Sequence, residues 1–534
     1  MNAKIRPTRA QRPSGRRVFF AALLGALSVL SFAPFELFWL SWLNLGGLFL
    51  LLNSSEAKNP GARISAWHAA WFGAAFGFGL FITGVSWIYV SLSTFGGMPS
   101  PVAALATLLF CAFLSLYPAC VGALFVRLAP CVGGTFLFAA LWTLAEWLRG
   151  WIFTGFPWLA VGYAQTPPSP LAGFAPLVGV YGVSFLTALL AALLATLYGK
   201  SFPPRRSLDG SALKSALNAE LTKRFYAVLL ILALLLAGLF LRDISWTKPL
   251  GAPFSVTLLQ GNIAQELKWR PEKLNETLLT YYRLARDNPA QLIVLPETAL
   301  PAFYDQIPGT YLDALKALAQ SQQGDLIFGA ILGNDTRYRN AALSLGISGE
   351  QRYSKSHLVP FGEFIPAGFN WLFSLAHIPM SDFTRGALDQ APMRLGGRTL
   401  AINICYEDAF GEEIIRALPE ANVLVNLSNV AWFGDSLAPA QHLQIAQMRA
   451  LETGRMMLRA TNTGMTAIVG VDGNVQKVLK PFTQGALRGD VTAHEGATPF
   501  VRYGNWPSIT LASVLLAAFA ASAYVRRRAN RLYG

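Results

Sequence analysis

The sequence predicts a chain in two parts: an α-helical polytopic membrane domain of eight spans, and a layered α/β domain inserted before the last span. Three observations predict it. Of 534 residues, 53% are hydrophobic and only 13% charged, about half the roughly 25% charge of soluble domains. Eight apolar segments approach the roughly 20 residues needed to cross a bilayer core, near 18–35, 37–53, 67–94, 101–126, 130–148, 173–199, 225–241 and 507–525. About 250 residues of ordinary polarity separate the last two, enough for one domain with its own core. The expected division is therefore 1–251 for spans one to seven, 252–504 for the inserted domain, and 505–534 for span eight with a basic tail.

The spans can be oriented by charge, because short cytoplasmic loops collect Lys and Arg. The N-terminus carries Lys4, Arg6, Arg9, Arg12, Arg16 and Arg17, and the C-terminus Arg526, Arg527, Arg528 and Arg531. Both ends are expected inside, which requires an even number of spans. Counting along the chain places Lys58 and Arg63, Arg127, and the group Lys200, Arg205, Arg206, Lys214, Lys223 and Arg224 on the same side. The inserted domain then lies outside the cytoplasm; in a bacterium that is the periplasmic face of the inner membrane. The net charge of +14, from 43 Lys and Arg against 29 Asp and Glu, needs no nucleic-acid partner once this bias is recognised. The first segment is expected to be an anchor and not a cleaved leader, since Pro34 stands where a small residue would be needed. The second and fifth segments are the weakest spans, the second interrupted by Asn44 and the fifth carrying Glu146 and Arg149 near its end. That acid and that base suit a structural ion pair, contact with headgroups, or snorkelling at the interface. Cys111, Cys120 and Cys131 lie in or beside apolar runs and Cys405 stands alone, so no disulfide framework is expected.

Within the inserted domain, short runs rich in β-branched residues read as buried strands: Phe254 to Leu259, Leu292 to Leu295, Leu326 to Leu332, Leu400 to Ile404, Val423 to Leu427 and Thr466 to Val471. Helical patterns fall at Pro271 to Arg286, Thr310 to Gln320, Gly411 to Leu418 and Pro439 to Thr453, with hairpin signals at Ser348-Gly349-Glu350 and Asp472-Gly473-Asn474. Interleaving of this kind predicts sheets covered by helices.

Three runs end in residues that catalysis can use. Leu292-Ile293-Val294-Leu295-Pro296-Glu297 delivers a carboxylate after a strand, although a Glu in that place also caps helices. Leu400-Ala401-Ile402-Asn403-Ile404-Cys405 delivers a thiol where a strand-to-helix turn would expose it and aim N–H groups at an oxyanion; a free Cys is equally a small buried hydrophobe. Tyr353-Ser354-Lys355-Ser356-His357-Leu358-Val359-Pro360 carries a lysine that is either an ordinary strand residue or, beside Cys405, a charge that lowers the thiol pKa.

Taken together, the order Glu297, Lys355, Cys405 resembles the nitrilase superfamily, and the added spans resemble its membrane-embedded branch, the apolipoprotein N-acyltransferases. The segments Glu146-Trp147-Leu148-Arg149-Gly150, Thr154-Gly155-Phe156-Pro157-Trp158, Ser428-Asn429, Ala431-Trp432-Phe433-Gly434 and Gly504-Asn505-Trp506-Pro507 look like family segments, and Val430 departs from an Asp expected in many members. The resemblance implies an αββα sandwich for the inserted domain. It implies that Glu297, Lys355 and Cys405 are catalytic, that Trp269 is a substrate-contacting arm, and that Glu363, Tyr406 and Glu407 support the site. It also implies a ping-pong transfer: a phospholipid such as phosphatidylethanolamine acylates Cys405, and the N-terminal amine of a diacylated apolipoprotein takes the acyl group.

Rival readings are a membrane-tethered nitrilase-type amidase that passes the acyl group to water, a thiol hydrolase pairing Cys405 with His357 or His442, and a non-enzymatic lipoprotein-binding factor. The histidines His68, His357, His377, His442 and His494 lack close zinc spacing, and no phosphate-cradling loop or dinucleotide fingerprint is present. No metal and no cofactor are expected.

Overall fold

The computed structural model describes residues 14–56, 59–129, 134–198, 210–334, 336–365 and 382–533. Lys4, Arg6, Arg9, Arg12, Lys58, Cys131, Lys200, Arg205, Arg206 and His377 lie outside the described residues.

Every apolar segment contains a helix, but the helices are unequal. Among the described residues, five are long and apolar enough to cross a membrane: Ala66–Gly84, Ser100–Leu128, Pro170–Tyr198, Leu217–Arg242 and Trp506–Asn530. The other three are shorter, at Gly15–Leu27, Trp39–Leu52 and Gly134–Arg149. At about 1.5 Å per residue, 14 residues of helix reach roughly 21 Å, short of a ~30 Å hydrocarbon core. The first is prolonged by the 3-10 turn Ser28–Ser31. The segment expected over 67–94 is not one rod: its helix stops at Gly84, and the short helix Trp87–Val90 and the π-turn Ser91–Phe95 follow.

Glu146 and Arg149 are both buried, which removes snorkelling at the interface from the readings left open for them. Glu146 Oε1 accepts from Trp142 Nε1 at 2.8 Å and from the Val161 amide at 2.9 Å, while Arg149 donates to the carbonyls of Phe156 and Trp158, each at 2.6 Å. These bonds stitch the helix Gly134–Arg149 to the chain that follows it, and they leave Glu146 Oε2 buried without a hydrogen-bond partner among the described residues.

Among its described residues, the inserted domain holds two six-stranded sheets. One runs in the order Gly485–Glu495, Lys248–Gln260, Leu292–Val294, Asp325–Asn334, Arg337–Gly346, Arg352–Ser354; the other Val475–Val478, Ala467–Val469, Met457–Thr461, Val423–Ser428, Arg398–Ile404, Met393–Leu395. Alternation explains how they meet. Phe254, Val256, Leu258, Leu292 and Val294 of the first sheet pack against Leu400, Ile402, Val423, Val425 and Leu458 of the second, whereas Ile293 and Leu259 face outward. Outward residues of the first sheet are covered by the helices Pro271–Asp287 and Gly309–Ser321 through Leu278, Tyr281, Leu315 and Ala319. Those of the second, Ala401, Leu424 and Met457, are covered by Ala438–Thr453 through Leu443, Ala446 and Ala450. The layers are therefore helix, sheet, sheet, helix.

Both expected hairpins form: Arg337–Gly346 pairs antiparallel with Arg352–Ser354, and Ala467–Val469 with Val475–Val478. The helix Ala438–Thr453 is buried on nearly all sides because its opposite face, with Ile445, Met448 and Leu451, joins the core of the membrane helices.

Candidate active site

Glu297, Lys355 and Cys405 are spread over more than a hundred residues of sequence, and strand pairing gathers them. Leu292–Val294 is flanked by parallel strands on both sides, so Glu297 emerges from the middle of the first sheet. Pro296 has no amide hydrogen to continue the ladder, and the chain turns sharply, with Thr298 at φ 44°. Gly329 permits this turn, since a Cβ there would collide with the Thr298 amide. The hairpin at Ser348–Glu350 sets Lys355 opposite Asn340, and the Lys355 amide donates to the Asn340 carbonyl at 2.8 Å. Both side chains then reach Glu297 Oε1: Asn340 Nδ2 at 2.7 Å and Lys355 Nζ at 3.3 Å. Glu363 closes the cluster, accepting from Lys355 Nζ at 2.9 Å and from Asn340 Nδ2 at 3.0 Å. The Asn429 amide donates to Glu297 Oε2 at 2.7 Å, so the second sheet also contributes.

Cys405 ends the strand Arg398–Ile404 at φ 54° and opens the 3-10 turn Cys405–Ala409. A left-handed backbone at a non-glycine residue is costly and is held here by its surroundings. Asn426 Nδ2 donates to the Cys405 carbonyl at 3.0 Å, and Arg459 donates to Asn426 Oδ1 at 2.9 Å and to Asp408 Oδ2 at 2.6 Å.

Glu407 ties the elbow to the lysine loop. One carboxylate oxygen accepts the Ile404 amide at 2.6 Å; the other accepts the Ser356 amide at 2.6 Å, the Ser356 hydroxyl at 2.8 Å and the His357 amide at 3.0 Å.

The electrostatics corrects one expectation. Cys405 is 8% exposed, not open to solvent. Burial is the main cause that pushes its thiol up to about 12, the Glu297 charge adds to the rise, and Lys355 offsets only part of it. The thiol is therefore neutral at rest. Burial also opposes charge on Glu297, but Lys355, Lys268 and the hydrogen bonds from Asn340 and Asn429 outweigh it and hold the carboxyl below its ordinary range. Lys355 is buried as well, yet Glu297 and Glu363 keep its ammonium well above its ordinary value. The arrangement is an ionised base and a fixed cation around a protonated sulfur.

A family model described as the apolipoprotein N-acyltransferase N-terminal domain matches residues 24–193, and one described as carbon-nitrogen hydrolase matches 255–498. The apolipoprotein N-acyltransferase of Nitrosomonas europaea is 48% identical over 518 residues, covering 96% of this chain and 98% of that one. The chain belongs to the apolipoprotein N-acyltransferase family. The Chromobacterium violaceum member is 44% identical over 502 residues, with 93% and 92% covered. Among solved structures, a nitrilase-superfamily amidase from Nesterenkonia AN1 aligns with 48% of this chain and 95% of its own at 19% identity, with a TM-score of 0.36.

The other residues marked by the family resemblance take different places. Trp269 follows the short helix Gln265–Lys268 and is 38% exposed. Tyr406 turns from the cluster toward the membrane helices: its hydroxyl donates to the Gly155 carbonyl at 3.1 Å, and its ring stacks near Trp158. Val430 is buried and heads the turn Val430–Phe433 directly after Asn429. His357 and His442 are engaged elsewhere, with Glu413 at 3.0 Å and Asp408 at 2.7 Å. Sequence reasoning missed Asn340 and Lys268, and marked Asn429 only as part of the segment Ser428-Asn429, without a role. A lone Asn ahead of the apolar run Ala341-Ala342-Leu343, and a Lys beside Trp269, were the available signals.

Proposed function

We propose that this chain is a membrane acyltransferase of lipoprotein maturation. In this reading it moves a fatty acyl chain from a phospholipid, phosphatidylethanolamine in the simplest case, through a thioester on Cys405 to the N-terminal amine of a diacylglyceryl-cysteine apolipoprotein. The observation that carries it is an ionised Glu297, a cationic Lys355 and a strained Cys405 elbow, buried together and joined to a set of apolar helices.

The thiol is too weak an acid to ionise first, so its proton passes to Glu297 as sulfur bonds to the ester carbonyl carbon. Lys355 and backbone N–H groups at the elbow stabilise the oxyanion. Collapse expels the lysophospholipid alkoxide, which takes the proton from Glu297, and leaves the thioester. The neutral amine of the acceptor then attacks, loses a proton to Glu297, and the departing sulfur recovers it. An amide replaces a thioester, so no nucleotide is needed, and the two displacements give ping-pong kinetics.

The same reading places the chain in the bacterial inner membrane with eight spans, the three short helices crossing with help from their flanking turns. Both termini are then cytoplasmic, and the domain of residues 252–504 is periplasmic. The spans keep the sulfur near lipid, where each donor methylene need not be extracted into water at about 0.8 kcal/mol.

The test is intact-protein mass spectrometry after incubation with phosphatidylethanolamine. The expected result is an acyl adduct on Cys405 that is cleaved by hydroxylamine, disappears on adding a diacylated lipopeptide, and is absent from Cys405→Ala. An adduct elsewhere, or release of free fatty acid at the same rate with or without the lipopeptide, overturns the proposal.

A further inference from the structure

Two ammonium groups, not one, stand at Glu297. Lys268 is 3% exposed, and its Nζ donates to the Glu297 carbonyl oxygen at 3.2 Å and to the Thr298 hydroxyl. Both acceptors are neutral, although a buried ammonium is costly without a counter-charge. Its charge nonetheless acts on the Glu297 carboxylate, whose two oxygens are already taken by Lys355, Asn340 and the Asn429 amide. Burial accordingly brings Lys268 down to about 8, with Glu297 and Cys405 opposing the drop.

The same side chain sits one residue before the half-exposed Trp269. Its helix is also bolted from the other end, where Asn429 Nδ2 donates to Gln265 Oε1 at 2.9 Å while the Asn429 amide holds Glu297. Asn462 completes the brace, accepting from the Ile263 amide at 2.9 Å and donating to the Ile263 carbonyl at 2.8 Å. The segment carrying Trp269 and the proposed base are thus one hydrogen-bonded unit, with a cation at the joint.

Resting on the acyltransfer reading above, we infer that Lys268 is a positioning residue of that reaction: a second cation that keeps Glu297 ionised beside a neutral thiol and fastens the Trp269 segment to the base. No atom of Lys268 is consumed. The proton still passes from Cys405 Sγ to Glu297 as the carbon–sulfur bond forms.

The test uses the full chain in phospholipid nanodiscs and follows two rates across the acidic range: alkylation of Cys405 by iodoacetamide, and acyl-adduct formation from phosphatidylethanolamine. In Lys268→Met and the milder Lys268→Gln, the acid limb of both profiles is expected to move up by about one pH unit or more, the effect of removing a unit charge at ~4–6 Å. Lys268→Arg should keep the wild-type limb. A loss of plateau rate with an unmoved limb, in whichever neutral variant folds, means a packing role only and overturns the inference. Failure of the underlying reading looks different: the wild type then alkylates at Cys405 but forms no acyl adduct, and the role of Lys268 in acyl transfer falls with it.

Discussion

Replacing Glu407 by Gln tests whether the elbow and the lysine loop are held by one carboxylate. The Glu407 side chain accepts the amides of Ile404, Ser356 and His357 and the hydroxyls of Ser356 and Tyr353. A Gln keeps one acceptor oxygen and puts an NH2 group at the other. With the oxygen facing Ser356 and His357, the buried Ile404 amide loses its partner and meets another donor. A hydrogen bond to a charged acceptor contributes about 1.5–3 kcal/mol, and an orphaned buried donor costs about as much. A loss of about 3 kcal/mol is therefore expected. Because Ile404 directly precedes Cys405, much of it should fall on the geometry of the sulfur. Expressed wholly in the barrier, that loss slows acylation about 100-fold or more. The assay is the rate of adduct formation on Cys405 by mass spectrometry, with thermal unfolding in detergent alongside. Wild-type acylation and wild-type Tm in the same Glu407→Gln protein would refute the reasoning, because five donors cannot lose their charged acceptor without consequence.

Gln441 joins the two parts of the chain, accepting from the indoles of Trp87 at 3.3 Å and Trp158 at 2.7 Å and donating to the Gly84 carbonyl at 3.1 Å. Gln441→Leu should destabilise by about 3 kcal/mol or more, since three buried polar groups lose partners; a Tm shift in detergent measures it. Glu297 is held below its ordinary value of 4.5, so it adds stability that is fully present above that pH and is lost as pH falls through the lowered value. A Glu297→Gln variant should lack this acid-side loss when unfolding is followed against pH. Gly155 has φ 87°, and a Cβ there would collide with the Gly150 carbonyl beside the acceptor of Tyr406. Gly155→Ala should therefore lower both Tm and acylation rate, as read by the same two assays. His357→Gln with His442→Gln should still form the Cys405 adduct, because the two imidazoles pair with Glu413 and Asp408 while Glu297 stands as the base; complete loss in a folded double variant would favour a Cys–His hydrolase.

The strand ends were legible because their signal is local. A β-branched run closed by Pro296 or by a turn reports its own boundary, and the chain order Glu297, Lys355, Cys405 survives without knowledge of the pairing. The environment was not legible. Nothing in the run before Cys405 says that its sulfur is buried, and burial reverses the expected low-pKa thiolate into a neutral thiol. Asn340 reaches Glu297 only through its register opposite Ile331 of the neighbouring strand. Among the spans, hydropathy located every helix but not its length. The break at Gly84 follows from tertiary contacts, with the Gly84 carbonyl held by Gln441 from far along the chain.

That same contact explains why an α/β sandwich is fused to membrane helices and not merely tethered. The helix covering the second sheet would, in a soluble domain, present a polar outer face. Here Gln441, Gln444 and Glu452 on Ala438–Thr453 instead meet Trp158, the Ala33 amide and the Val180 amide. Buried polar groups whose partners lie across the interface are expensive in any other arrangement. They specify one orientation of the sandwich on the helices more sharply than apolar packing could. Tyr406, the residue after Cys405, is part of this seam through Gly155 and Trp158. The sulfur's height above the helices is therefore set by the seam, and a lesion there should change access of lipid to Cys405 before it changes the chemistry of Glu297 and Lys355.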